Sequence, residues 1–104
     1  MVALVSHAKT RFKLGTLVAT PGAIAALQRS GEDPAAFVER HCHGDWGDVD
    51  AHDRQANDAA VAHEGDPDRQ ERVLSAYTTR TGDRLWVLTE HDRSVTTFLC
   101  PDEY

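Results

Sequence analysis

Residues 73–89 read Val73-Leu-Ser-Ala-Tyr-Thr-Thr-Arg-Thr-Gly-Asp-Arg-Leu-Trp-Val-Leu-Thr89, and this stretch decides the fold class. Val73, Ser75, Tyr77 and Thr79 alternate with Leu74, Ala76 and Thr78. Beyond the turn, Leu85, Val87 and Thr89 alternate with Trp86 and Leu88. A period of two over residues that suit a pleated surface predicts strands. Thr81-Gly82-Asp83 supplies a hairpin turn between them. His91-Asp92-Arg93 turns the chain again, and Val95 to Cys100 makes a last strand that Pro101 ends. The carboxyl-terminal third therefore reads as a three-stranded meander.

Working back towards the amino terminus, the period lengthens and the helix signals begin. Thr20-Pro21 and Asp33-Pro34 each read as an N-cap followed by proline at the first helical position. The first helix stops near Gly31, with Ile24 and Leu27 on its buried face; the second carries Phe37, Val38 and His41 and ends at Gly44. Asp50 as N-cap and Asp53 three residues on predict a third helix, stopped by Gly65, whose inward positions are mostly alanines: Ala56, Ala59 and Ala60. Leu14 to Ala19 reads as one more strand. The expected architecture is α+β: an antiparallel sheet of about four strands, one N-terminal strand plus the C-terminal meander, packed against about three helices.

The chain has 104 residues, 17 acidic and 11 basic, a net charge of −6 and a hydrophobic fraction of 40%. That length suits one domain and is too short for two ordinary ones. No apolar run is long enough for a transmembrane helix. The acidic balance argues against nucleic acid as a partner. The N-terminal apolar stretch, Val2 to Val5, is shorter than a secretory signal needs, which leads us to expect a cytoplasmic protein with Cys42 and Cys100 as free thiols. Residues 1–13, with Lys9, Arg11 and Lys13, read as a basic arm, loose or paired as an edge strand, ahead of a single α+β domain over 14–104. Residues 44–68 alone carry −7, nearly the whole net charge.

The residue set Arg40-His41, Gly44-Asp45-Trp46-Gly47, Asn57, Leu74-Ser75-Ala76-Tyr77, Thr89-Glu90, Asp92-Arg93-Ser94, Thr96-Thr97 and Tyr104 resembles a family of small bacterial proteins of about this length. Members are found on plasmids and other mobile elements and carry labels such as plasmid-related protein or restriction-system subunit. The resemblance covers the chain from Leu14 onward and implies an accessory role on a mobile element. The chain looks longer than that family around Asp66-Pro67-Asp68-Arg69, which implies a surface loop, and Cys42 and His43 fall at the family's variable positions.

Two functional readings follow. The first is a non-enzymatic interaction module that docks a protein partner through the acidic 45–58 segment, with Trp46, Asp48, Asp50, Asp53 and Asn57 as its surface. Trp46 is then an exposed anchor, or else a core plug that pins the acidic turn to the sheet. The second is a small metal-dependent hydrolase or nuclease built on His41, Asp45, Asp48 and Glu90, with Arg93 as a transition-state partner. His41, Asp45 and Asp48 would be its ligands to a divalent metal; imidazole and carboxylate are the right donor types, and His43, Asp50, His52 and Asp53 lie nearby. No His-Glu-x-x-His, Cys-x-x-Cys or phosphate-binding glycine loop accompanies them. Cys42, between two histidines, is a candidate nucleophile or a small buried thiol. A homodimer is open if the last strand pairs across a sheet edge.

Overall fold

The computed structural model describes residues 10–104. Strand β1 covers Thr16–Ala19 and is followed by helices α1, Pro21–Ser30, α2, Pro34–Cys42, and α3, Ala51–Ala62. Strands β2, Val73–Thr78, β3, Arg84–Thr89, and β4, Val95–Leu99, complete the sheet, and a short 3-10 turn spans Pro101–Glu103. Lys9 of the basic arm lies outside the described residues.

Each helix starts where its cap chemistry directs. Thr20 accepts from the Ala23 amide, Asp33 from Ala35 and Asp50 from Asp53, and Pro21 and Pro34 fill the first helical positions. Gly31 ends α1 in the left-handed conformation. Helix α2 closes on His43 rather than on Gly44, and α3 closes on His63, ahead of Gly65. Ile24, expected on the buried face of α1, is 46% exposed; Ala23, Ala26, Leu27 and Ser30 form that face instead.

The sheet order is β1-β4-β3-β2. The meander is antiparallel, with Val73 opposite Thr89 and Leu88 opposite Thr97. Strand β1 runs parallel to β4, Leu17 beside Thr96 and Ala19 beside Phe98, so the sheet is mixed and not purely antiparallel. Periodicity fixes which face a side chain takes but carries no strand direction, hence the difference. The last strand, β4, is interior and has no free edge, so it is not a strand that could pair across one.

The helices cover one face of this sheet. One core cluster joins α1 and α2 to the strands through Leu27, Phe37, Val38, Tyr77, Val87 and Phe98. A second gathers Phe12, Trp46, Val49, Ala60, Val73 and Ala76. Packing thus begins ahead of Leu14, because Phe12 is buried and the Arg11 amide donates to the Cys42 carbonyl. Among the described residues no helix is long and apolar enough to cross a membrane.

Candidate functional site

His41 projects from α2 onto the helix-covered face and is fully buried. Its Nδ1 lies 2.6 Å from the Ser75 hydroxyl and its Nε2 lies 2.9 Å from the Thr89 hydroxyl. Thr89 meets Thr96 at 2.7 Å, and Thr96 donates to the Leu14 carbonyl at 2.7 Å. Each hydroxyl has one proton, so the directions are determined. Thr96 spends its proton on Leu14; Thr89 therefore donates to Thr96 and accepts from His41 Nε2–H, while Nδ1 accepts from Ser75. The imidazole is neutral and fully satisfied. Burial, reinforced by the Arg93 charge, pushes its pKa down to about 3. Phe12 and Trp46 close over it at 5.1 and 6.0 Å between ring centroids. An imidazole sealed this way organises the core and has no route to a substrate.

The acidic turn is pinned by its own chemistry. Trp46 is 5% exposed and its indole N–H donates to Asp58 at 3.0 Å, so it is the plug and not an exposed anchor. Gly47 has φ 74°, and a Cβ there would collide with the Ala76 carbonyl. That close approach lets the Ala76 amide donate to the Trp46 carbonyl while the Asp48 amide donates to the Ala76 carbonyl. Two positions earlier, buried Asn57 brackets Leu74: its amide accepts from the Leu74 N–H at 3.1 Å and donates to the Leu74 carbonyl at 2.8 Å. The outer edge of β2 is therefore closed, and Asn57, expected on a docking surface, belongs to that closure.

The carboxylates are similarly engaged. Asp45 pairs with Arg40 at 2.7 Å, which holds its pKa below the usual carboxylate value. Asp48 accepts from the Thr78 hydroxyl at 3.0 Å, and Asp50 caps α3 at the Asp53 amide. Arg93 is 7% exposed and sits at φ 62°. Its Nε donates to Glu64 at 2.9 Å and its Nη1 to the carbonyls of Glu71 and Glu90 at 2.7 and 3.0 Å. Its guanidinium carbon stands 5.6 Å from the Phe12 ring centroid. This is a clamp that ties the β3–β4 turn to the loop that follows α3. Burial pushes the Cys42 thiol up, the reverse of what a nucleophile needs, and its Sγ donates to the Glu39 carbonyl. Both cysteines are free thiols.

The sequence-predicted site residues do not converge. His41 is under the helices, and Asp45 is outside on Arg40. Asp48 is held at Thr78, whereas Glu90 follows Thr89, the partner of Val73; the span of β2, roughly 17 Å, separates these two. Among the described residues no three His, Cys, Asp or Glu side chains gather in a group that could hold a metal ion. What the fold does bring together is a chain of hydroxyls on His41: Ser75 and Thr89 reach its ring, and Thr96 joins through Thr89. Comparisons with protein-family models, with curated proteins and with solved structures give no match.

The surface that sequence reasoning missed lies at the opposite edge of the sheet. Strand β1 is an edge strand in which all four residues are exposed. Leu17 is 50% exposed, Val18 42% and Ile24 46%. Between β1, α1 and the start of α2 lies an open groove of about 720 Å³, lined by Leu17, Ala19, Ile24, Leu27, Val38 and Phe98 among others. The acids at its rim are occupied: Glu32 accepts from the Arg80 amide and Asp33 caps α2. The amides of Thr16 and Thr20 donate inward to Ser94 and Phe98 of the β4 side. By strand alternation the N–H and C=O of Leu17 and Ala19 point outward. The available signal was Thr16-Leu17-Val18-Ala19-Thr20, an uncharged strand without lysine or an internal proline.

Proposed function

We propose that the chain is a non-enzymatic interaction module that meets another protein chain through the β1–α1–α2 face. One observation carries this: among the described residues the β1 edge is uncovered, with exposed Leu17 and Ile24 on its helix side and exposed Val18 on the other face of the same strand. Edge strands are ordinarily blunted by shortness, charge, proline or cover; β1 is four residues long, carries no charge or proline, and is covered by nothing among the described residues. Covering those side chains is worth about 1 kcal/mol each, since roughly half of each is still exposed. The acidic 45–58 segment supports the same class of function less strongly. Trp46 and Asn57 are buried, and Asp45, Asp50 and Asp58 are each engaged within the fold. Its exposed carboxylates form the outer surface of a turn that the fold itself needs. The motif resemblance supports a mobile-element setting for this module.

A photo-reactive leucine analogue at position 17 tests the proposal in the native host. The expected result is a cross-link to one identified polypeptide, lost when Ile24→Asp is added and not reproduced with the analogue at exposed Ala62. Capture of nothing but solvent at position 17, or equal capture at position 62, overturns it.

A further inference from the structure

We propose that the occupant of this face is a second copy of the same chain, paired β1 to β1 in antiparallel order about a two-fold axis at Val18; this rests on the docking role proposed above.

The backbone is self-complementary in that register. With Val18 opposite Val18 of the second copy, Leu17 stands opposite Ala19. These are the two residues whose N–H and C=O groups point outward, so they exchange hydrogen bonds as a close antiparallel pair, with Val18 at the non-hydrogen-bonded position between them. Thr16-Leu17-Val18-Ala19 has no charge that would repel its own image. The two four-stranded sheets become one continuous sheet with the helices of both copies on the same face.

The side chains follow the backbone. Leu17 and Ala19 share the face of Thr96 and Phe98, beneath the helices. In the paired arrangement Leu17, Ala19 and Ile24 of each copy lie beside their counterparts, and the two grooves share one apolar floor. The patch meets itself, as an isologous interface requires.

Charge at the ends of β1 favours a second copy over an arbitrary strand. Antiparallel pairing sets the start of one β1 against the end of the other. Exposed Lys13 lies before the start. At the end sits the Glu103 carboxylate, held by the Gly22 amide and the Thr20 hydroxyl, with Asp102 exposed beside it. Exposed Lys13 at one end and exposed Asp102 at the other are complementary only in the antiparallel sense.

Sedimentation equilibrium on the full chain, from micromolar to millimolar concentration, tests this together with three variants. The expected species has twice the 11.5 kDa chain mass. Leu17→Pro removes an outward N–H and no bond to β4, and is expected to weaken the dimer about tenfold or more while the monomer stays folded by circular dichroism. Under mild oxidation Val18→Cys is expected to cross-link to itself, because a non-hydrogen-bonded pair places Cα atoms about 4.5 Å apart. Leu17→Cys, offset from its own image, is expected not to. A monomer at every concentration overturns the second copy, as does cross-linking by Leu17→Cys without Val18→Cys. A monomer that still captures another protein from position 17 leaves the docking role intact. A monomer that captures nothing there removes both.

Discussion

His41 is the most informative single residue. Its pKa is about 3 in the folded chain against 6.5 for an ordinary histidine. The folded value is the lower one, so the unfolded chain takes up the proton first. Stability is therefore complete above pH 6.5 and falls as the pH drops towards 3, by about 1 kcal/mol per pH unit at first order. The carboxylates held low by partners, such as Asp45, Asp83 and Glu103, begin to cost stability only near and below their ordinary values of 3.8 to 4.5. Between pH 6.5 and 5 the His41 contribution therefore falls ahead of that of those carboxylates. Urea midpoints are expected to fall across that interval for the native chain and to stay flatter for His41→Gln, itself less stable at pH 7. Arg93 is the second such residue. Arg93→Ala removes the donor shared by the part-buried carbonyl contacts of Glu71 and Glu90 and leaves Glu64 without its partner, and is expected to cost about 2–4 kcal/mol, read as a loss in urea midpoint at unchanged m-value. Both residues stood out in the sequence because of their chemical type. Type alone does not distinguish a reactive group from a satisfied one; the partners Ser75 and Thr89 of His41, and Glu64 and Glu71 of Arg93, are distant in the chain and close only in the fold.

At the scale of elements, the caps were legible because their chemistry is local. Thr20-Pro21, Asp33-Pro34 and Asp50 with Asp53 each start the helix they announce, and the alternation over 73–99 gives β2, β3 and β4. The direction of β1 was not legible, nor was the burial of Phe12, because both depend on which element lies opposite. The closure of β2 shows the same limit. Asn57 reads from sequence as a polar residue on a helix, yet its side chain takes the place of a neighbouring strand at Leu74. Asn57→Ala is expected to cost about 2 kcal/mol through the two lost hydrogen bonds. Amide exchange should locate the damage, with the Leu74 N–H exchanging faster while Val87 in the adjacent strand stays protected. Trp46→Phe is expected to keep the plug and lose the bond to Asp58, costing about 1 kcal/mol. An equally small loss for Trp46→Ala would contradict its burial, since removing a buried tryptophan costs about 3–5 kcal/mol.

Across the whole molecule, the two edges of the sheet are treated differently. The β2 edge is closed by Asn57 and by the Trp46–Asp48 turn, whereas the β1 edge is open among the described residues and flanked by an apolar groove. The residues that look most functional in the sequence, the histidine and the acidic turn, close the first edge and fill the core. The plain stretch Thr16 to Thr20 forms the second. Composition drew attention to the −7 charge of residues 44–68, and most of that charge is explained by capping, pairing and turn formation. The β1 strip proposed to interact carries no charge of its own and so left no mark on the composition.

The outward amides of β1 can be followed directly by amide hydrogen exchange at Leu17 and Ala19, with Val18 as the internal reference. The expected result is that Leu17 and Ala19 exchange quickly in dilute protein and become protected as the concentration rises. Val18, whose amide faces β4, should be protected throughout. Exchange at Leu17 and Ala19 that does not change with concentration, whether fast or slow, would contradict the pairing of β1 with a second copy.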